Sequence, residues 1–388
     1  MVPGIPENAQ PVVAEVYLAA DSSEVSSQYR GINLGSSQNY YNQNLLQSPV
    51  KCLNMTSSLY PPALHFGIPE AMQPHVRTSE SLPERYQQYR IAQATETTYS
   101  EGPFGSYITQ QISGPDWVIS WQHCFVKEKV RLRPSVAQPM LAMYCILQGN
   151  ISCRLQGKGK LMLIEKEFGI YYIPDHSDNT ADLRPGYYEM ICISFSPAFL
   201  RQFIAHHPSF EEIFQLQQRQ ARRASMLPAI RMEVSDLKVL LEMRQSPAAT
   251  ETLKPYIDTR LHELLTLYFN ALTPKYLQNS DQAQKLRQIC VYIQEHYHHH
   301  LSIAELSKQA GMHINTFERA FKELLSVSPR GYIEHLRMKK AASLLAQTSL
   351  SIKEISISSG YRGPNYFTAV FRKRYRCSPR EFRKNHLT

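Results

Sequence analysis

Two tryptophans in 388 residues, and no apolar run near the ~18–20 residues that span a bilayer, set the first limits on this chain. Its seven cysteines (Cys52, Cys124, Cys145, Cys153, Cys192, Cys290 and Cys377) are odd in number and contain no Cys-x-x-Cys pair. Zinc sites and disulfide frameworks need denser pairing, so these thiols read as small buried hydrophobes. No Gly-x-Ser-x-Gly elbow and no phosphate loop ending in Gly-Lys-Ser/Thr occurs. Between Gly105 and Phe195 the only histidines are His123 and His176, with no His-x-His pair to hold a metal. Met1 to Gln10 shows no basic stretch followed by an apolar one, so no secretory leader is expected. These absences predict a cytoplasmic protein that is not an enzyme, without metal, cofactor or membrane partner.

What is present is a charge that is unevenly placed. From Gln282 to Thr388 there are 18 Lys and Arg against 7 Asp and Glu, whereas the preceding residues carry 24 against 26. The whole basic excess lies in one C-terminal segment, as expected of a nucleic-acid-binding domain attached to a neutral one. A basic face for acidic lipid is the competing explanation, and it is weakened by the motif described below.

Four segments follow from composition and periodicity. Residues 1–95 are rich in Ser, Gln, Asn, Pro and Tyr and predict a mostly disordered tail, with a short ordered patch near Leu59 to Ile68. Residues 96–232 carry short apolar runs such as Trp117-Val-Ile-Ser-Trp121, Met140-Leu-Ala-Met-Tyr-Cys-Ile-Leu147 and Gly169-Ile-Tyr-Tyr-Ile-Pro174. Such runs predict an antiparallel sandwich or barrel, with a cupin-like barrel as the expected form of a sensor domain. Trp117, Trp121, Tyr144, Tyr171 and Tyr172 are its candidate pocket residues. Residues 233–273 are helical: Leu253, Ile257, Leu261, Leu264, Leu265, Tyr268 and Phe269 form one stripe, for packing or for a homodimer. Thr273-Pro-Lys275 breaks that helix, and residues 280–388 form the basic domain.

The basic domain contains a repeat. Leu301-Ser-Ile-Ala-Glu-Leu-Ser-Lys-Gln-Ala-Gly311 recurs 49 residues on as Leu350-Ser-Ile-Lys-Glu-Ile-Ser-Ile-Ser-Ser-Gly360. Phe317, Phe321, Lys322 and Ser328-Pro329 recur 50 residues on as Phe367, Phe371, Arg372 and Ser378-Pro379. Ser302 and Ser351 sit where a helix cap belongs, and Glu305 and Glu354 stand three residues on to complete capping boxes. Gly311 and Gly360 are placed to leave the first helix of each copy with positive φ. Each copy thus predicts a helix-turn-helix, over about 301–325 and 350–375, and a helix from about Pro329 to Thr348 joins them. His296-Tyr-His-His-His300 invites a metal, but no further ligand pair stands nearby, and histidines also favour a helix C-terminus.

Residues 289–385 resemble the DNA-binding domain of the AraC family of bacterial transcription regulators. The matching pieces are Gly331-Tyr-Ile-Glu-His-Leu-Arg-Met-Lys-Lys-Ala-Ala-Ser-Leu-Leu345, Ser351-Ile-Lys-Glu-Ile-Ser356, Gly360-Tyr361, Tyr366-Phe-Thr-Ala-Val-Phe-Arg-Lys-Arg-Tyr375 and Ser378-Pro-Arg-Glu-Phe-Arg383. Two departures are Ser356, where the family usually has alanine, and Arg376, where it usually has glycine. The resemblance implies a regulator, an activator among the expected forms, whose two reading helices enter successive major-groove segments of a promoter or operator. Base contacts then fall to His313, Asn315, Glu318 and Arg319 in the first helix, and to Asn365 and Thr368 in the second. Pro364 and Ala369 occupy reading positions without a strong hydrogen-bonding group. Lys322, Arg362, Arg372, Lys373 and Arg374 are placed for phosphate. The implied partners are double-stranded DNA and an unidentified small-molecule effector, with RNA polymerase as a further candidate. The competing reading is a cupin-type enzyme, metal-dependent or not, or a small-molecule binder fused to the DNA-binding domain. A cluster of polar side chains or a bound metal inside the barrel would select it.

Overall fold

The computed structural model describes residues 64–175, 177–204, 211–246, 250–272 and 280–386. The tail reading for residues 1–63, His176 and the helix break at Thr273–Lys275 lie outside the described residues. The first strands are β1 (His65–Gly67), β2 (Arg77–Ser79), β3 (Glu96–Gly102), β4 (Gly105–Ser113), β5 (Trp117–Val126), β6 (Val130–Ser135) and β7 (Met140–Gln148). There follow β8 (Ile151–Leu155), β9 (Gly159–Leu163), β10 (Glu167–Ile173), β11 (Thr180–Leu183), β12 (Gly186–Phe195), β13 (Ser225–Met226) and β14 (Ile230–Arg231). Residues 64–95, which composition assigned to the tail, carry β1, β2 and 3-10 helices at Gln73–His75 and Glu84–Tyr89. Apolar side chains anchor this stretch: Leu64, Tyr89 and Ile91 are buried.

The strands form two antiparallel sheets rather than one closed barrel. The small sheet runs β1-β6-β11-β8-β9, and the large one runs β13-β10-β7-β12-β5-β4-β3-β2, with β14 also on β10. Both paths are open. The reason lies in burial: β5 and β7 are inaccessible along almost their full length, and so is β12. A continuous apolar strand of this kind wants cover on both faces, which a barrel wall around an open pocket does not supply. One face of the large sheet packs on the small sheet, joining Tyr144, Met190 and Cys192 to Leu132, Ile151 and Ala181. The other face packs on helices.

Those helices are α1 (Pro197–Ile204), α2 (Glu211–Gln218), α3 (Val234–Arg244) and α4 (Thr250–Ala271). The α4 stripe of Leu253, Ile257, Leu261, Leu264, Leu265, Tyr268 and Phe269 is buried in one cluster with Trp117, Ile119 and Ile193 of the large sheet. The chain's own sheet therefore covers the stripe, and in this arrangement it is not open to a second copy. Near the end of α3, Arg244 donates to Glu189 of β12 at 3.2 Å, with both side chains buried. Tyr187 Oη donates to the same carboxylate at 3.2 Å and lies 2.9 Å from His123 Nδ1. Burial pushes the His123 imidazole well below its usual range, with the Arg244 charge acting the same way.

The C-terminal region is helical: α5 (Ser280–His296), α6 (Ile303–Gln309), α7 (Ile314–Leu325), α8 (Pro329–Gln347), α9 (Ile352–Ser358), α10 (Pro364–Tyr375) and α11 (Pro379–His386). Among the described residues, no helix is long and apolar enough to cross a membrane.

Candidate nucleic-acid interface

The repeat folds as two copies of one unit. α6 and α9 each have seven residues, α7 and α10 each have twelve, and the 19-residue α8 joins the pairs. Gly311 and Gly360 leave α6 and α9 at φ 67° and 88°, the left-handed turn that favours glycine. Gly360 also needs its bareness for space, because a Cβ there would lie 2.9 Å from the His298 carbonyl oxygen. Phe317 and Phe321 fill the core under α7, and Phe367 and Phe371 fill the core under α10.

The capping expectation holds for one copy only. Ser351 accepts from the Glu354 amide at 3.2 Å, and the Glu354 carboxylate accepts from the Ser351 amide at 2.8 Å. The Ser351 amide foremost, and the Ser351 hydroxyl after it, hold the Glu354 carboxyl below its usual range. Ser302 occupies the matching position but makes no side-chain capping bond, so the predicted Ser302–Glu305 box is not formed.

With the phenylalanines turned inward, the opposite faces of α7 and α10 look outward. Asn315, Glu318 and Arg319 are exposed on α7, and His313 is exposed at its cap. On α10, Asn365 and Ala369 are exposed, while Thr368 and Pro364 are half-buried. Asn315 and Asn365 occupy the same position in the two copies, since each is the second residue of its helix. Lys322, Arg362, Arg372 and Lys373 are exposed cations around these faces. Arg374 is exposed too, but it reaches back to His335 Nδ1 of α8 at 2.6 Å. Burial lowers the His335 pKa, and the Arg374 charge adds to this, so the neutral ring can accept that bond.

Two contributors escaped the sequence reading. Tyr366 is 68% exposed on α10 beside Asn365, an aromatic surface that a core-seeking pattern assigns inward. Arg337 of α8 donates to the carbonyls of Tyr297 at 2.7 Å and His299 at 2.8 Å, and lies over the Tyr361 ring at 5.5 Å. It therefore ties the chain before the first unit to the turn of the second. The histidine run is part of this seam: His296 Nδ1 lies 2.8 Å from the Tyr292 carbonyl oxygen, and the two rings stack.

Arg376, one of the departures noted in the sequence, closes α10 in the left-handed region at φ 60°, as Ser326 closes α7 at φ 58°. A side chain with a Cβ is disfavoured there by roughly 1–2 kcal/mol. Arg376→Gly is therefore expected to stabilise the second unit by about 1 kcal/mol, offset in part by the entropy of glycine in the unfolded chain. Urea unfolding of the two forms checks this; an unchanged or lower midpoint would show that the cap carries no strain.

The candidate pocket residues of the β-rich region divide between the two faces of the large sheet. Tyr144 and Tyr171 line a cavity of about 50 Å³ between the sheets, together with Ile151, Cys153, Leu163 and Met190. Trp117, Trp121 and Tyr172 do not: they are buried on the helix side. There Trp117 Nε1 donates to Asp258, and Tyr172 Oη donates to the Ala221 carbonyl at 2.9 Å. Alternation along a strand sends neighbours to opposite faces, which separates Tyr171 from Tyr172. Among the described residues, no three His, Cys, Asp or Glu side chains come together as a metal site.

Two helix-turn-helix units on one connecting helix, with polar outer faces in a basic segment, define a DNA-binding architecture. A sequence family described as "Helix-turn-helix domain" matches residues 306–385. The HTH-type transcriptional regulator ExsA of Pseudomonas aeruginosa is 29% identical over 128 residues, which is 32% of this chain and 46% of that protein. The thermoregulatory protein LcrF of Yersinia pestis is 27% identical over 263 residues, covering 62% of this chain and 88% of that one. The crystal structure of the DNA-binding domain of AdpA, a global transcriptional factor in complex with a target DNA, is 27% identical. That match covers 26% of this chain and 90% of that chain, with a TM-score of 0.25. This chain thus spans about half the length of ExsA. Its C-terminal region is an AraC-type helix-turn-helix domain.

Proposed function

We propose that the protein is a sequence-specific DNA-binding transcription regulator whose α7 and α10 read successive major-groove segments. The observation that carries this is the paired placement of Asn315 and Asn365 on outward faces of two matched helices, each over a phenylalanine core. Asn presents a bidentate amide to adenine, Arg319 presents two guanidinium donors to guanine, and Glu318 accepts from cytosine or braces Arg319. Thr368 and Tyr366 supply the second helix with a hydroxyl and an aromatic surface. Lys322, Arg362, Arg372 and Lys373 engage phosphate and set register. Arg374, bonded to His335, serves the α8–α10 contact first and phosphate second.

The β-rich region is proposed to answer to a small effector in the inter-sheet cavity. Its lining is almost wholly apolar. Its volume matches a few water molecules, so an effector of ordinary size must part the sheets. The effector class favoured by that lining is apolar rather than a sugar.

Duplexes selected from a random pool by the full chain give the test. Arg319→Ala and Asn365→Ala are each expected to cost about 1–3 kcal/mol at one base position and to relax preference there. Lys373→Ala should instead weaken all duplexes alike and lower the salt slope by about 1. Identical behaviour of all three variants would overturn the assignment of readers and anchors.

A further inference from the structure

The core of the first helix-turn-helix unit is not built from the DNA-binding domain alone. Met162 of β9 and Ile164 just beyond it are buried in one cluster with Leu286 and Ile293 of α5 and with Phe317 and Phe321 of α7. Met162 is wholly inaccessible. Around this contact Arg287 of α5 donates to Glu167 of β10 at 2.6 Å, and both side chains are more than nine-tenths buried. Lys160 of β9 pairs with Glu295 of α5 at 2.6 Å. Arg184 donates to the Gln294 carbonyl, and its guanidinium lies over the Tyr297 ring. Arg231 of β14 reaches Ser326, the residue that closes α7, at 3.2 Å.

The second unit is built differently. Its core consists of Met338, Ala341, Leu345, Ile355, Phe367, Phe371 and neighbours up to Phe382, all from within the domain. One unit therefore shares its hydrophobic core with the β-rich region, and the other has a core of its own.

We propose that the β-rich region clamps the first reading unit and leaves the second independent, so that regulation acts on the first unit alone. Met162 and the Glu167–Arg287 pair are the clamp. A buried ion pair opposes partial opening, because separating its members leaves charge in a poorly solvated site; the contact is closed or released, with little between. Strand β9 also gives the clamp an input. Lys160 and Met162 face α5, whereas Leu163, the next residue, lines the inter-sheet cavity. A molecule that swells the cavity displaces the strand that carries Met162. The second unit follows through α8 and through the seam at which Gly360 meets His298, outside the shared core, and so works as a constant anchor beside a regulated reader.

The consequence for DNA rests on the function proposed above, but the clamp itself is tested without DNA or effector, so the two readings fail separately. The experiment is backbone hydrogen exchange on the full chain, wild type against Glu167→Gln. Exchange in α5–α7 is expected to accelerate at least about tenfold, while α9–α11 keep their wild-type rates. Should Glu167→Gln fail to fold, Met162→Ala, which only opens a void in the shared core, carries the same expectation. Unchanged rates in α5–α7, or equal acceleration in both units, would overturn the clamp.

Discussion

Phe371→Ala is expected to unfold the second helix-turn-helix unit while the first stays folded. Phe371 is fully buried, with ring centroids 5.6 Å from Phe367, 4.5 Å from Tyr375 and 5.4 Å from Phe382. Truncating a buried phenylalanine costs about 3–5 kcal/mol through lost transfer energy and the void left behind. A unit of this size has roughly that much stability in total, at 0.05–0.15 kcal/mol per residue. The matching change in the first unit, Phe321→Ala, meets a core reinforced by Met162 and Ile164, so it should be better tolerated. Hydrogen exchange resolves the two: loss of protection confined to α9–α11 in Phe371→Ala is the expected pattern. Simultaneous loss in both units would show that α8 fuses them into one cooperative body.

The second large effect is expected at Arg244. Arg244→Met removes the guanidinium that meets Glu189, a carboxylate with no accessible surface. Breaking a buried pair by removing one member costs about 3–5 kcal/mol. The double change Arg244→Met with Glu189→Leu should recover most of that loss, because neither charge then needs burial. Urea midpoints of the full chain measure both; equal destabilisation in the single and double variants would mean that packing, not charge, matters there. His123 beside this pair adds a dependence on pH. Its folded-state pKa is lowered, so the unfolded chain binds the proton more readily. Its contribution is therefore present above about pH 6.5 and is lost as pH falls below that value.

Much of the C-terminal domain was legible because its signals are local. Ser-Ile-x-Glu, a glycine six residues after the Glu, and phenylalanines four apart occur twice, and each has a short-range physical cause. Where reasoning stayed local it also went wrong: Ser302 and Ser351 are the same residue in the same pattern, yet only Ser351 caps. Residue type does not fix a hydroxyl's rotamer. In the β-rich region the apolar runs announced strands but not which face each residue meets, so Tyr144 and Trp117 were grouped although opposite faces of the sheet hold them. The closed barrel failed for a related reason. Runs apolar at every position, as in β7, signal cover on both sides, and the cover here is a second sheet and α4. Arg287 was the least legible of all. In a basic segment it reads as one more cation for phosphate, and its carboxylate partner lies 120 residues earlier. The hint was on the other side, where Glu167 and Glu189 each begin or interrupt an apolar strand that has no other use for a charge.

Reading of DNA by two matched helices of one domain is measured most directly by a footprint of the full chain on a duplex selected from a random pool, at two salt concentrations. Protection of two neighbouring major-groove segments on one face of the duplex, with a base preference that survives the higher salt, is the predicted result. Binding that shows no preference among sequences and vanishes as salt rises would contradict it.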